Sequence, residues 1–246
     1  MSMEYIKTTG VVLKRKIIKE GDAIISVLTP YMGVITAFVK GAKNYKNRNS
    51  QGSAPFCYSE FVISPGRDMY RVTSCVLLES FYNLSANIER IAYATYVADL
   101  VDYTVKENVG DERILPFVLN TFFLLANSDK NLRLIKCVFE LRLLCLLGLT
   151  PKLSSCVRCG STETVHICAA VGGALCSACG IGEEKISGAV LMAMRYVIDA
   201  DDKKVYSFSL PHNLVAEFES HTLHFIKEHI DRDFYSLAYL NKIIGK

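Results

Sequence analysis

Hydrophobic residues along this chain change their spacing once, near residue 80. Before that point they form short runs rich in Val, Ile, Thr, Tyr and Phe, at Gly10–Ile18, Ala23–Leu28, Gly33–Lys40, Phe56–Ser64 and Asp68–Glu79. Such runs predict β-strands, because β-branched and aromatic side chains suit a half-buried pleated surface. Turn formers separate them at Glu20-Gly21-Asp22, Pro30-Tyr31-Met32-Gly33 and Pro65-Gly66-Arg67-Asp68. The stretch Gly41–Pro55 is polar, holds Asn, Gly and Ser, and predicts a mobile loop. Five short strands suit a small closed barrel; the five-stranded OB-fold is the natural candidate, and an SH3-like barrel fits the strand count almost as well.

From Asn83 onward the apolar spacing becomes helical. Ser85 is a candidate N-cap for a helix running to about Asn108, although Glu89 lies one position beyond a strict capping box. Asp111 opens a second helix through Ala126, with Pro116 near its start, and Asn131–Leu147 is a third, strongly apolar one. Gly148 and Pro151 are its stop signals. Tail helices are expected at about Gly188–Asp199, Asn213–Ile230 and Phe234–Ile244.

Composition adds little to this picture: 50% hydrophobic and 22% charged residues leave ample material for a core. No run approaches the roughly 18 apolar residues of a membrane helix. The N-terminus lacks the basic-then-apolar layout of a secretory signal, so the cytoplasm is the expected compartment and no membrane partner is expected. Charge changes the picture more. Residues 1–80 carry 11 Lys/Arg against 6 Asp/Glu, residues 81–150 carry 7 against 8, and residues 151–246 carry 10 against 11. The positive surplus therefore lies in the barrel region, and Ala23–Ser59 holds no acidic residue. A local positive field attracts polyanions, although basic runs also occur on ordinary solvated surfaces.

The sharpest chemical pattern is Cys156-Val157-Arg158-Cys159 and, after an interval, Cys176-Ser177-Ala178-Cys179. Paired C-x2-C motifs at this spacing are a zinc signature. Each tight turn points two thiolates at one ion, and a hairpin brings the second pair opposite. Thr164–Cys168 and Gly173–Leu175 can form that hairpin, with Gly172-Gly173 in its turn, and Gly160 and Gly180 let the backbone curl behind each pair. Disulfides fit poorly with a reducing compartment and with nine cysteines. Four protein ligands leave no open position, so one structural Zn2+ is expected. Cys168 reads as a hairpin side chain, and Cys57, Cys75, Cys137 and Cys145 as core residues.

The fold class that results is α+β. A basic OB-fold barrel occupies 1–80 and a helical domain 81–150. A zinc-binding module spans 151–182, and C-terminal helices at 183–246 complete the helical domain. The chain shows no GxGxxG opening a helix, no GxxxxGK[ST], no GxSxG and no HExxH, which favours a binding protein over an enzyme. His221 and His224 share a helix face but read as solvated, since no carboxylate or cysteine completes an obvious set. Asp199, Asp201 and Asp202 read as a helix-ending loop.

The block Phe139-Glu-Leu-Arg-Leu-Leu-Cys-Leu-Leu-Gly-Leu-Thr-Pro-Lys-Leu-Ser-Ser-Cys-Val-Arg-Cys-Gly160 resembles the RecO family of DNA repair and recombination mediators. So do Gly172–Cys179, Gly10-Val-Val-Leu13, Thr29–Gly33 and Val39-Lys-Gly-Ala-Lys43, in the same order along the chain. The resemblance implies an N-terminal OB-fold, a helical domain and a zinc module. It also implies a bacterial, cytoplasmic, nucleoid-associated protein that binds single- and double-stranded DNA and anneals complementary strands. The partners it implies are RecR, with which such proteins help RecA load, and the C-terminal tail of the single-strand DNA-binding protein. Beyond Lys43 the family often continues with further basic residues, whereas here the loop reads Asn44-Tyr-Lys-Asn-Arg-Asn-Ser-Gln51.

Candidate phosphate contacts are Lys14, Arg15, Lys16, Lys40, Lys43, Lys46, Arg48, Arg67 and Arg71, with Tyr45 placed to stack on a base. Tyr31 and Phe38 read as turn or core packing, and Arg133, Lys136 and Arg142 as cations available on the third helix, Arg142 also as a salt-bridge partner. Two other readings fit the same residues: a protein-docking scaffold without DNA activity, and an RNA-binding barrel with a zinc ribbon.

Overall fold

The computed structural model describes residues 5–18, 21–44 and 46–245. The chain divides into two compact units, Met1–Ser128 with Phe234–Lys246, and Asp129–Asp233. Its larger strands are β1 (Ile6–Ile17), β2 (Ala23–Thr29), β3 (Gly33–Val39), β4 (Cys57–Ser64) and β5 (Tyr70–Ser80). Its helices are α1 (Arg48–Gly52), α2 (Ile88–Thr104), α3 (Ile114–Asn127), α4 (Leu132–Leu146), α5 (Gly188–Asp199), α6 (His212–His229) and α7 (Tyr235–Ile243). Three short strands, β6 (His166–Cys168), β7 (Gly173–Leu175) and β8 (Glu184–Lys185), lie between α4 and α5.

In the first unit β1 to β5 close into a barrel in the order β1-β2-β3-β5-β4, with β4 pairing back onto β1. This is the OB-fold barrel expected from the strand pattern. Closure runs through a short parallel contact, Ala37↔Tyr70 and Phe38↔Arg71. Alternate residues enter the barrel: Ala23, Ile25 and Val27 from β2, Ile35, Ala37 and Val39 from β3, Phe61 and Ile63 from β4. The period of two that made these runs legible as strands is the one that fills the core.

Residues 46–55 are more ordered than the mobile loop expected over Gly41–Pro55. Asn47 caps α1, its side-chain oxygen accepting from the Asn49 N–H at 3.0 Å while its Nδ2 donates to the Lys40 carbonyl at 2.8 Å. Asn49 accepts from the Cys75 N–H at 2.9 Å, which moors α1 to β5. Asn side chains that read as loop formers here satisfy backbone groups instead. The first long helix also starts differently. Ser85 lies in a 3-10 turn, Tyr82–Ala86, and Asn87 is the cap of α2, accepting from Glu89 N–H (2.7 Å) and Arg90 N–H (3.3 Å). Asp111 does not open α3; it accepts from Arg113 N–H before the helix, and Pro116 falls in the first turn, where amide donors have no helical partner to lose. Phe234 meets Tyr96 and Tyr103 of α2 edge-on, at 6.0 and 5.8 Å between ring centres, and so starts α7 against α2.

In the second unit α4 is buried along nearly its whole length. It ends as the stop signal requires. Gly148 adopts φ +80, its N–H donates to the Cys145 carbonyl at 3.0 Å, and the Leu149 N–H donates to Leu144 at 2.8 Å, a Schellman closure. Arg142 reaches Asp202 at 2.6 Å and the Ile198 carbonyl at 2.8 Å, fastening α4 to the end of α5. The strands form a small sheet, β7-β6-β8. Its β6–β7 hairpin is the one expected between the cysteine pairs, and β8 is a third strand that the sequence did not announce.

Candidate nucleic-acid interface and metal centre

The three consecutive cations Lys14, Arg15 and Lys16 have three different fates. Lys14 lies 2.8 Å from Asp99 and 2.7 Å from Asp102 on α2, so its charge is spent within the fold. Two carboxylates hold its pKa above the usual lysine value against the opposing effect of partial burial. Arg15 donates to the Ser50 carbonyl at 3.1 Å and to the Ala42 carbonyl, bracing the loop around α1. Lys16 alone of the three is exposed. The pleat separates only Arg15 from the other two, because neighbours on a strand face opposite ways; Lys14 and Lys16 share a face, and Lys14 is the one that meets the carboxylates of α2.

Cross-strand register then groups the outward residues. Lys16 pairs with Ile24, Ile24 with Phe38, and Phe38 with Arg71, a single row across β1, β2, β3 and β5. Directly opposed residues share a face, so this row carries a cation at each end and an aromatic ring between them. Beside it a pocket of about 470 Å3 is lined by Phe38, Lys40, Arg67, Met69, Arg71, Asp22 and Asp68. One of its two carboxylates is already engaged: Asp22 accepts the Gly41 N–H at 2.6 Å. Lys43, Lys46 and Arg48 are exposed and follow Lys40 through the ordered loop. Tyr45 lies outside the described residues. Phe38, read from sequence as packing, is half-buried and lines the pocket, while Tyr31 is 74% exposed in its turn. The alternation of β3, with Ile35, Ala37 and Val39 inward, was the signal that Phe38 faces out.

The cysteine pairs converge. One sulfur of each of Cys156, Cys159, Cys176 and Cys179 lies within 4.8 Å of the others, and Cys159 and Cys176 are 3.6 Å apart. An ion about 2.3 Å from four tetrahedral sulfurs holds them about 3.8 Å apart, so the set can hold a metal ion. Gly160 takes φ +80, as a curling backbone requires. Gly180 is needed for a different reason: a Cβ there would stand 2.7 Å from the His166 ring. Burial acts to raise the Cys156 thiol, but the amides of Cys176, Cys159 and Arg158 outweigh it and bring the pKa down to about 6. Hydrogen bonding to Cys176 and Cys159 pushes Cys179 up to about 12. Four thiols this close cannot all ionise without a cation among them. Away from the cluster, burial pushes the core thiols Cys75 up to about 11 and Cys137 up to about 12.

The helix cations are committed elsewhere. Lys136 is 1% exposed and pairs with Glu140 at 2.9 Å, and Arg133 pairs with Glu219, so these are internal partners rather than a surface for ligands. Arg142 closes the salt bridge to Asp202. His221 is not on a solvated face. It is 1% exposed, and Glu184 and Glu217 supply the carboxylates that sequence distance concealed.

A closed OB-fold barrel with a basic outer row, a helical body and a four-cysteine cluster define a modular OB-fold protein. Residues 1–81 match the family model for the Recombination protein O N terminal, and residues 85–238 match that for the Recombination protein O C terminal. The chain belongs to the RecO family of DNA repair proteins. It is 34% identical over 246 residues to the DNA repair protein RecO of Acetivibrio thermocellus, covering 98% of each chain. It is 32% identical over 244 residues to that of Alkaliphilus metalliredigens, covering 97% of this chain and 99% of the relative. Among the described residues no helix is long and apolar enough to cross a membrane.

Proposed function

We propose that this protein is a recombination mediator of the bacterial nucleoid rather than an enzyme. It binds single- and double-stranded DNA through the outer face of its barrel, anneals complementary strands, and with RecR assists RecA loading on strands covered by single-strand DNA-binding protein. The observation that carries the reading is the row Lys16–Ile24–Phe38–Arg71 beside the pocket that adds Lys40 and Arg67. Cations there neutralise phosphates, and Phe38 offers a stacking surface worth about 1–3 kcal/mol per base. Annealing needs no catalytic group: screening phosphate repulsion while holding two strands close raises their encounter rate. Membership of the RecO family is what supports RecR and the acidic tail of the single-strand binding protein as the proposed partners. In the cysteine module one Zn2+ fills a closed four-thiolate shell and acts structurally.

The test is fluorescence anisotropy of a labelled single strand over a salt series. If Lys40, Lys43, Lys46 and Arg48 each neutralise one phosphate, changing all four to Glu flattens the log–log salt slope by about 2.8 and removes about 50-fold of the affinity change between about 50 and 200 mM salt. An unchanged slope refutes phosphate contacts by Lys40 and the loop that follows it, and the same slope after Lys16, Arg67 and Arg71 are also changed to Glu refutes the barrel as the DNA site. Absence of binding by the unaltered protein at low salt favours the docking-scaffold reading.

A further inference from the structure

We infer that Glu184, His221 and His224 form a second metal site, selective for a first-row divalent cation of the zinc class and separate from the four-cysteine cluster. His221 and His224 stand three apart on α6 and so share a face. Strand β8 lays Glu184 across that face. Glu184 Oε2 is 3.0 Å from His224 Nδ1 and 3.4 Å from His221 Nδ1, and the three donors lie within 4.8 Å of one another. An ion about 2.1 Å from nitrogen and oxygen ligands holds neighbouring donors about 3.0–3.4 Å apart, so each histidine already stands at coordination spacing from Glu184.

A second observation points the same way. His221 is 1% exposed, yet among the described residues neither ring nitrogen makes a well-aligned hydrogen bond, Glu184 standing 3.4 Å from Nδ1. Buried imidazoles are seldom left so, and an ion at Nδ1 satisfies this one. On the far side of the ring Nε2 faces Glu217 Oε1 at 3.8 Å, and Glu217 is itself fixed by the Ser187 N–H at 2.6 Å. A carboxylate behind a ligating histidine is the usual outer partner; at 3.8 Å Glu217 acts on the ring through its charge and not through a hydrogen bond. Two imidazoles with one carboxylate select zinc, cobalt, nickel or copper over magnesium or calcium, which prefer oxygen. His224 and Glu184 open onto a pocket of about 390 Å3, where water completes the coordination shell. An ion here fastens β8 to α6, a role that does not depend on DNA binding.

The full-length protein, its cysteine site filled with zinc, is titrated with cobalt(II) and metal content is measured by mass spectrometry. The expected result is a second equivalent whose visible spectrum lacks sulfur-to-cobalt charge transfer, together with a rise in melting temperature. Glu184→Gln and His224→Ala each abolish that equivalent and that rise while retaining the zinc. His224 is 54% exposed and Glu184 45% exposed, so neither change opens the core; melting curves taken without cobalt check this. No second equivalent in the unaltered protein means Glu184 makes only ion pairs with the histidines, and overturns the inference. So does a second equivalent that survives both variants.

Discussion

Lys136 offers the most demanding test of how the second unit is held together. Its ammonium, 1% exposed, lies 2.9 Å from Glu140 and 3.5 Å from Glu219. Glu219 also pairs with Arg133, and the Thr222 hydroxyl donates to Glu140 at 3.1 Å, so two cations balance two carboxylates. Burial opposes the charge on Lys136, but the field of Glu140, with smaller contributions from Cys137 and Glu219, overcomes it and raises the pKa. A raised lysine pKa gives stability that is complete below the ordinary value of 10.5 and is lost only as pH rises through the folded value. Stability from this group is therefore flat across neutral pH. At 2.9 Å and an effective dielectric of about 20 the Lys136–Glu140 attraction is about 6 kcal/mol, which roughly offsets the several kcal/mol needed to desolvate each ion. Lys136→Met removes the attraction and leaves Glu140 buried without its cation, at an expected cost of about 3–5 kcal/mol. The double change Lys136→Met with Glu140→Leu removes both charges and recovers most of that loss, while Arg133 still serves Glu219. The chain has no tryptophan, so urea unfolding is followed by far-UV circular dichroism. Amide exchange of α4 reads the second unit alone. A single variant within about 1 kcal/mol of the unaltered protein, the range of a surface pair, refutes this account. So does a double variant no more stable than the single one.

Three further outcomes are expected. Lys14→Met loses the pairs to Asp99 and Asp102 and lowers stability by about 0.5–1 kcal/mol, the lysine being partly exposed, yet leaves the salt slope of DNA binding unchanged. Asn47→Ala removes the cap of α1 and the tie to Lys40, costing about 1 kcal/mol locally; faster amide exchange across Arg48–Gly52 and weaker DNA binding report it. Stripping the metal with a chelator, or Cys176→Ser, lowers the melting temperature and unravels β6 and β7, because metal-binding energy is folding energy; an unchanged melting curve contradicts a structural ion.

The sequence by itself determined the elements whose cause is local. The five strands, the apolar helices, the Gly148 stop and the cysteine spacing each depend on residues within a pleat, a turn or a hairpin of one another, so pattern alone reveals them. Boundaries were less legible: Asn87 rather than Ser85 caps α2, and Asn47 orders a stretch whose polar composition reads as loop. What only the tertiary structure decided is which charges are spent and which remain for a ligand. Lys14, Arg15 and Lys16 are neighbours in sequence, yet one answers to α2, one to the backbone around α1 and one to solvent. Glu184 stands 40 residues from His224, and Glu219 stands 86 from Arg133. A side chain's electrostatic partner is set by where the chain returns in space, and no local periodicity carries that information.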